Sequence, residues 1–275
     1  MDILELIGVA LGLWGLLAVF MAFAWLIQQR TGNSGWVDTV WTFGVGVTGI
    51  AGATAAFSIS DLTLRMLLLS ALVFVWAARL AGHITLRTTQ ISDDPRYKKL
   101  REKWGAAAPR NMFWLLQAQA LLSVPIVLSI TLSAWNPAPL FTPMDLGALA
   151  LFCIAIAGSA LSDFQLTQFK QRNHGTGKVC DTGLWAWSRH PNYFFEWLIW
   201  LSLALFALDL SGNWPLGYIA IAGPVCMYWL LRYVSGVPPL EAHMVARYGD
   251  AYATYQRTTS VFFPLPRTLW RGTST

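Results

Sequence analysis

The stretch Asp181-Thr182-Gly183-Leu184-Trp185-Ala186-Trp187-Ser188-Arg189-His190-Pro191-Asn192-Tyr193-Phe194-Phe195-Glu196-Trp197-Leu198-Ile199-Trp200 joins a polar loop directly to an apolar helix. Pro191 disfavours a helical His190 and is itself pre-set for a first helical position, so a helix starts near Pro191 and runs into the apolar residues beyond it. The unpaired N–H groups of its first turn face the loop, with Arg189 and His190 beside them. That combination is a natural seat for an anion such as a phosphate ester. Asn192 and Glu196 are four apart on one helical face, which puts an amide and a carboxyl just inside a segment apolar enough for a bilayer. Ionisable groups at that depth usually serve a site. The alternative is a purely interfacial role, since Trp, Tyr, Arg and His are at home at bilayer surfaces and the helix dipole favours an early Glu.

The rest of the chain supports the membrane reading. Of 275 residues, 55% are hydrophobic and only 12% charged, too apolar for an ordinary soluble domain. The net charge of +5 is interleaved with apolar segments rather than gathered on one face, so no nucleic-acid partner is expected. Cys153, Cys180 and Cys226 are too dispersed to suggest a disulfide framework or a metal site. With roughly 20 residues per span, seven spans are expected, at about 3–27, 35–57, 63–86, 112–134, 146–169, 192–210 and 214–235. The expectation is an all-α polytopic membrane protein, residues 1–275 forming a single integral membrane domain.

Charge sets the orientation. Arg30, the basic residues from Arg87 to Arg110, Lys170, Arg172, Lys178, Arg189, Arg247, Arg257, Arg267 and Arg271 all fall on one side of this arrangement. Asp2, Glu5, Asp61, Asp145 and Asp209 mark the other, where Arg65 is the only basic residue. The amino terminus is therefore expected outside and the carboxyl terminus in the cytoplasm.

Polar marks inside the spans nominate functional residues. Asp38 lies about one turn into the second span, where an acid either pairs, protonates or works at a site. Gly44, Gly46, Gly49 and Gly52 follow it as small packing positions. Arg79, His83 and Arg87 form a basic ladder at intervals of four, suited to a phosphorylated ligand. Ser159, Ser162, Asp163, Thr167 and Lys170 trace a polar stripe along the fifth span. The basic loop Gln171-Arg172-Asn173-His174-Gly175-Thr176-Gly177-Lys178 follows, and Lys170, Arg172 and Lys178 have the charge for a nucleotide 2′-phosphate. Past Pro238-Pro239, residues 240–255 read as a short amphipathic helix or helix pair carrying Tyr248, Tyr252 and Tyr255.

Ser188-Arg189-His190-Pro191-Asn192-Tyr193 with Glu196, the Ser162-Asp163 stripe, and the tail from Tyr248-Gly249 to Phe263-Pro264 resemble the membrane steroid 5-alpha-reductase superfamily, in its uncharacterised bacterial branch. The specific likeness covers about 155–266. It implies a seven-helix fold, NADPH buried in the cytoplasmic half of the bundle, and a lipophilic substrate entering from the bilayer. The implied setting is a bacterial inner membrane, with no obligate protein partner. Cofactor contacts carried over by the resemblance fall on Arg79, Asp163, Lys170, Asn192, Glu196 and Tyr248, with Ser159 at a family asparagine position and His243 at a position shifted by one. The steroid reductases' early Gln-Glu pair is missing, and Trp76 stands at their Tyr position. Asp38, kept protonated by burial, is the expected replacement acid that polarises a substrate carbonyl. The isoprenylcysteine carboxyl methyltransferases, which use S-adenosylmethionine, share an Arg-His-Pro-x-Tyr stretch and a similar tail. They remain an alternative, as does a non-catalytic lipid-binding protein.

Overall fold

The computed structural model describes residues 3–55, 61–90, 92–173 and 175–266. Asp2, His174, Arg267 and Arg271 lie outside the described residues. Among those described there is no strand. The helices are α1 (Ile3–Thr31), α2 (Gly35–Ala53), α3 (Leu64–Thr88), α4 (Pro95–Trp104), α5 (Ala108–Leu122), α6 (Val124–Ala134), α7 (Pro143–Arg172), α8 (Pro191–Leu205), α9 (Ala222–Trp229), α10 (Val237–Tyr248) and α11 (Asp250–Thr258). Among the described residues, five helical segments are long and apolar enough to cross a membrane: Ile3–Thr31, Leu64–Thr88, Pro95–Ala134, Pro143–Arg172 and Pro215–Tyr248. The chain is thus an all-helical, multi-pass type of molecule. It divides into two compact units, one of residues 1–146 and 203–226, the other of 147–202 and 227–275.

Two expected spans have helices outside those five, for different reasons. In the first unit, α2 is walled in on several sides. A Cβ on Gly44 would meet Phe20 of α1 at 2.9 Å, one on Gly46 would meet Ala77 of α3 at 2.7 Å, and one on Gly49 would meet Ile130 of α6 at 2.7 Å. The glycines let three neighbours approach one backbone. On its packed side α2 buries Thr39, Thr42 and Thr48, which lowers its hydropathy, while Phe43 and Val47 are exposed on the other. By contrast α8 is 15 residues long and stops at Leu205, where a turn follows around Asp209, whose carboxylate accepts from the Ser211 and Asn213 amides.

The segment Pro95–Ala134 is three helices rather than one span. Asp94 caps α4, its Oδ1 accepting from Arg96 N at 2.9 Å with Pro95 at the first turn. Gly105, with φ of 52°, ends α4. At Ser123 the chain breaks again, because Pro125 removes a backbone donor from the start of α6. α1 follows a simpler rule: Leu13, Leu17, Met21, Ala24 and Gln28 make one buried stripe, and Leu11, Val19 and Phe23 are exposed.

After α9 comes a π turn, Leu230–Val234, and then the amphipathic α10 and α11, all three in the second unit. The apolar character of Pro215–Tyr248 belongs to the part before α10, whose sequence carries Glu241, His243 and Arg247.

Candidate functional site

The loop ahead of α8 is tied both to α7 and to the tail. On the α7 side, Leu184 N donates to Gln165 Oε1 at 2.9 Å and Trp185 Nε1 to Ser162 O at 3.0 Å. On the tail side, Arg189 N donates to Ser260 O, Leu265 N to Trp187 O, Ser188 Oγ to Phe262 O and Tyr255 Oη to Trp185 O. Buried Tyr252 and Tyr255 face this loop from α11, and burial pushes both phenols above their ordinary range.

Arg189 is the centre of that junction. It is 8% exposed. Its Nε donates to Glu241 Oε1 at 2.7 Å, Nη2 to Glu241 Oε2 at 3.3 Å, and Nη1 to the carbonyls of Gln256 and Thr259 at 2.9 and 2.7 Å. His190 Nε2 lies 3.0 Å from Glu241 Oε1, and Gln256 Nε2 donates to Glu241 Oε2 at 2.9 Å. The anion expected beside Arg189 and His190 is therefore one the chain supplies itself, Glu241. Burial pushes the His190 imidazole below its ordinary value, against the opposing pull of Glu241. A neutral ring donates from Nε2, which leaves Nδ1 as an acceptor, and that atom is buried with no hydrogen-bond partner.

A second polar group forms between α7 and the first turns of α8. Asn192 Nδ2 of α8 donates to Asp163 Oδ1 of α7 at 3.3 Å. Asp163 and Glu196 are 9% and 8% exposed, and Asn192 is half-buried. Ser159 and Ser162 are buried on α7, where Ser162 Oγ is turned back onto Gly158 O at 2.7 Å. Lys170, at the end of α7, and Lys178, in the loop, are exposed. His243 and Tyr248 are half-buried on α10, and the Arg247 guanidinium lies 5.3 Å from the Tyr248 ring. Asp163 and Asn192 are thus brought into contact, whereas Lys178 stands apart on the loop surface.

Arg79, Arg87 and Asp38 belong to the first unit. Asp38 is the hub of a network at the ends of α2, α3 and α4. Its Oδ2 pairs with Arg96 and lies 3.8 Å from Arg87, and Tyr97 Oη donates to Oδ1 at 3.4 Å. Arg96 also holds Asp94 at 2.9 Å, and Gln119 Nε2 donates to Tyr97 Oη at 3.2 Å. Burial raises the Asp94 carboxyl, but the bonds and charge of Arg96 outweigh it and hold the group below its ordinary value. Of the outcomes open to an acid at this depth, the structure shows pairing: the Asp38 side chain is 23% exposed and has two guanidinium groups against it. Arg79 is half-buried and Arg87 is exposed.

Sequence reading missed Glu241 as the partner of Arg189, and Arg96, Tyr97 and Gln119 as partners of Asp38. Asp94 ahead of Pro95 is a legible helix cap. Nothing in the spacing links position 38 to position 96, so only the fold shows that pair.

Among curated proteins, the chain is similar to an uncharacterised protein of Schizosaccharomyces pombe, 26% identical over 270 residues, covering 87% of this chain and 75% of that one. No solved structure matches. A family match extends over residues 24–259, from late α1 through α11, and so takes in both polar networks. On that match the chain belongs to the family described as Protein of unknown function (DUF1295).

Proposed function

We propose that the protein is an NADPH-dependent membrane reductase that saturates a conjugated carbon–carbon double bond in a lipophilic enone or enoyl substrate, as the steroid 5-alpha-reductase resemblance implies. The observation that carries the reading is the Asp163–Asn192 pair, a carboxylate and a carboxamide in contact on two apolar helices. Such a pair offers both an acceptor and a donor, the complement of a nicotinamide carboxamide, and the half-buried Asn192 leaves a way to it. When bound, NADPH supplies a hydride to the carbon β to the carbonyl. Exposed Lys170 and Lys178 supply positive charge for its phosphates.

Seven spans with the amino terminus outside and a bacterial inner-membrane location complete this proposal. The one exception to the charge pattern supports the orientation, since Arg65 is 3% exposed and paired with Asp145 rather than facing water. Proton chemistry is assigned to the Asp38 network. Tyr97 holds the hydroxyl hydrogen there, with Asp38 as its acceptor and Gln119 as its donor.

Thermal stability of the detergent-solubilised protein with NADPH, NADH or S-adenosylmethionine tests the cofactor. A specific ligand at a hundredfold excess over its Kd stabilises by about 2.7 kcal/mol. NADPH is expected to produce that shift, and Asp163→Asn to abolish it. Stabilisation by S-adenosylmethionine alone sinks the reductase in favour of a methyltransferase, a second reading favoured by the way the tail acid Glu241 closes on the Arg189-His190 stretch. In a lipid-enone assay, Asp38→Asn and Tyr97→Phe are expected to keep the NADPH shift and reduce turnover by about 100-fold or more, the scale of general acid assistance. Unchanged turnover removes the assigned role.

A further inference from the structure

A cleft of about 420 Å³ opens in the first unit between the end of α1, α4 and the start of α5. Gln28, Gln29, Lys98, Arg101, Glu102 and Pro109 are among its lining residues. Its volume falls within the roughly 300–1,000 Å³ of small-molecule sites, and nothing in the reductase reading uses it.

Its chemistry is polar and cationic at one level and aromatic at the next. Arg101 pairs with Asp93 through Nη2, but its Nε hydrogen is buried with no acceptor. Exposed Lys98 stands on the cleft with Glu102 the single acid in the lining, and exposed Lys99, Lys103 and Arg110 add positive charge elsewhere on α4 and α5. Gln28 is 1% exposed and its Oε1 accepts from Gln29 Nε2 at 2.6 Å, so the α1 wall of the cleft is polar, in line with the Gln28-Gln29-Arg30-Thr31 end of that helix. Beside this wall, Trp25 Nε1 donates to Pro109 O at 2.9 Å. The Trp25 ring meets Phe113 edge-on at 5.6 Å, and Phe113 meets Trp114 at 5.4 Å. Trp114 is 64% exposed on a helix of a candidate span.

An exposed indole on a spanning segment marks the level where headgroups meet acyl chains. A basic cleft just beyond that level, where the polar α4 meets the ends of two apolar helices, has the form of a lipid headgroup site. We propose that this cleft holds an anionic phospholipid, its phosphate against Lys98 and Arg101 and its chains along the Trp25–Phe113–Trp114 face. A soluble phosphate would satisfy the cations but would have no use for the aromatic face.

The test is native mass spectrometry of the full chain in detergent, titrated with phosphatidylglycerol, with phosphatidylcholine or with glycerol phosphate. Phosphatidylglycerol is expected to bind about tenfold more tightly than phosphatidylcholine, and glycerol phosphate is expected not to compete. Lys98→Glu should weaken phosphatidylglycerol about tenfold, Trp114→Ala should weaken it severalfold, and Lys99→Glu, off the cleft lining, should have a much smaller effect. Thermal unfolding of each variant checks that these surface changes leave the fold intact. Equal binding of the two lipids, equal effects at positions 98 and 99, or displacement by glycerol phosphate would each overturn the proposal. Because none of these readouts involves a nucleotide, the result is independent of the cofactor assignment.

Discussion

Arg65→Met is expected to lower the thermal midpoint of the detergent-solubilised protein by on the order of 10 °C, through a loss of about 3–5 kcal/mol. Arg65 is 3% exposed and lies in the first turn of α3. Its Nη1 donates to Asp145 Oδ1 at 2.7 Å and to Phe206 O at 3.1 Å, and its Nη2 to Asp145 Oδ2 and to the carbonyls of Ala138 and Pro139. Asp145 in turn accepts from the amide and hydroxyl of Thr142 at the start of α7. A lone buried ion pair is often replaceable by hydrocarbon at no net cost. This one also donates to three carbonyls of the loops after α6 and α8, each of which loses a charged donor when the guanidinium goes. The double variant Arg65→Met with Asp145→Leu is therefore expected to stay several degrees below wild type, while both singles fall further because each strands one charge. A double variant as stable as wild type would show that the carbonyl bonds contribute nothing, and singles within about 1 °C of wild type would refute the account.

The same residue shows where sequence reading succeeded and where it stopped. In the charge pattern Arg65 was an exception, a basic residue among acids. The structure turns it inward onto Asp145, a pairing across 80 positions that no local pattern encodes. Helix existence was legible because apolar periodicity and caps are local: the α1 stripe, Pro191 at the head of α8 and the α2 glycines each act within a turn or two. Helix ends were less so. The sixth span was read through residue 210, but α8 ends at Leu205 because Asp209 organises a turn that hydropathy counts as a small interruption. The break at Ser123 was hidden in the same way, with Pro125 submerged in an apolar run.

The candidate site divides along the same line. Asp163, Asn192 and Glu196 were readable as polar marks because charge inside an apolar helix is conspicuous on its own. Arg189 was equally conspicuous, but its partners were not, since Glu241, Gln256 and Thr259 lie in a tail that reads as an ordinary amphipathic segment. Positive charge at a helix start suggests an anion without saying whose. Here the chain provides one, the carboxylate of Glu241.

Arg189→Lys is expected to loosen the tail almost as much as Arg189→Met, a loss of about 3–5 kcal/mol confined to residues 237–265. Four hydrogen bonds leave this guanidinium in a planar fork, to both Glu241 oxygens and to two carbonyls. A lysine ammonium has the charge but neither the reach nor the geometry for all four. Hydrogen exchange or limited proteolysis of α10 and α11, with and without NADPH, measures the effect. Loosening in the absence of nucleotide identifies a clamp; loosening seen only when nucleotide is present would assign Arg189 to the cofactor instead. Acid should act on the same junction. The groups facing His190 are Glu241 and Arg189, the charge of Arg232, and the Tyr193 ring stacked on it at 5.4 Å. Since burial lowers the His190 pKa in the folded state, the unfolded chain binds more protons below an ordinary His value of about 6.5. The stabilisation is therefore complete above that pH and drains away as the pH falls through and below it. The protection factors of α10 and α11, exchange rates taken relative to the intrinsic rate at each pH, are expected to fall between about pH 7.5 and 5 in wild type and to lose most of that dependence in His190→Gln. An equally steep pH profile in the variant would move the switch from His190 to another group.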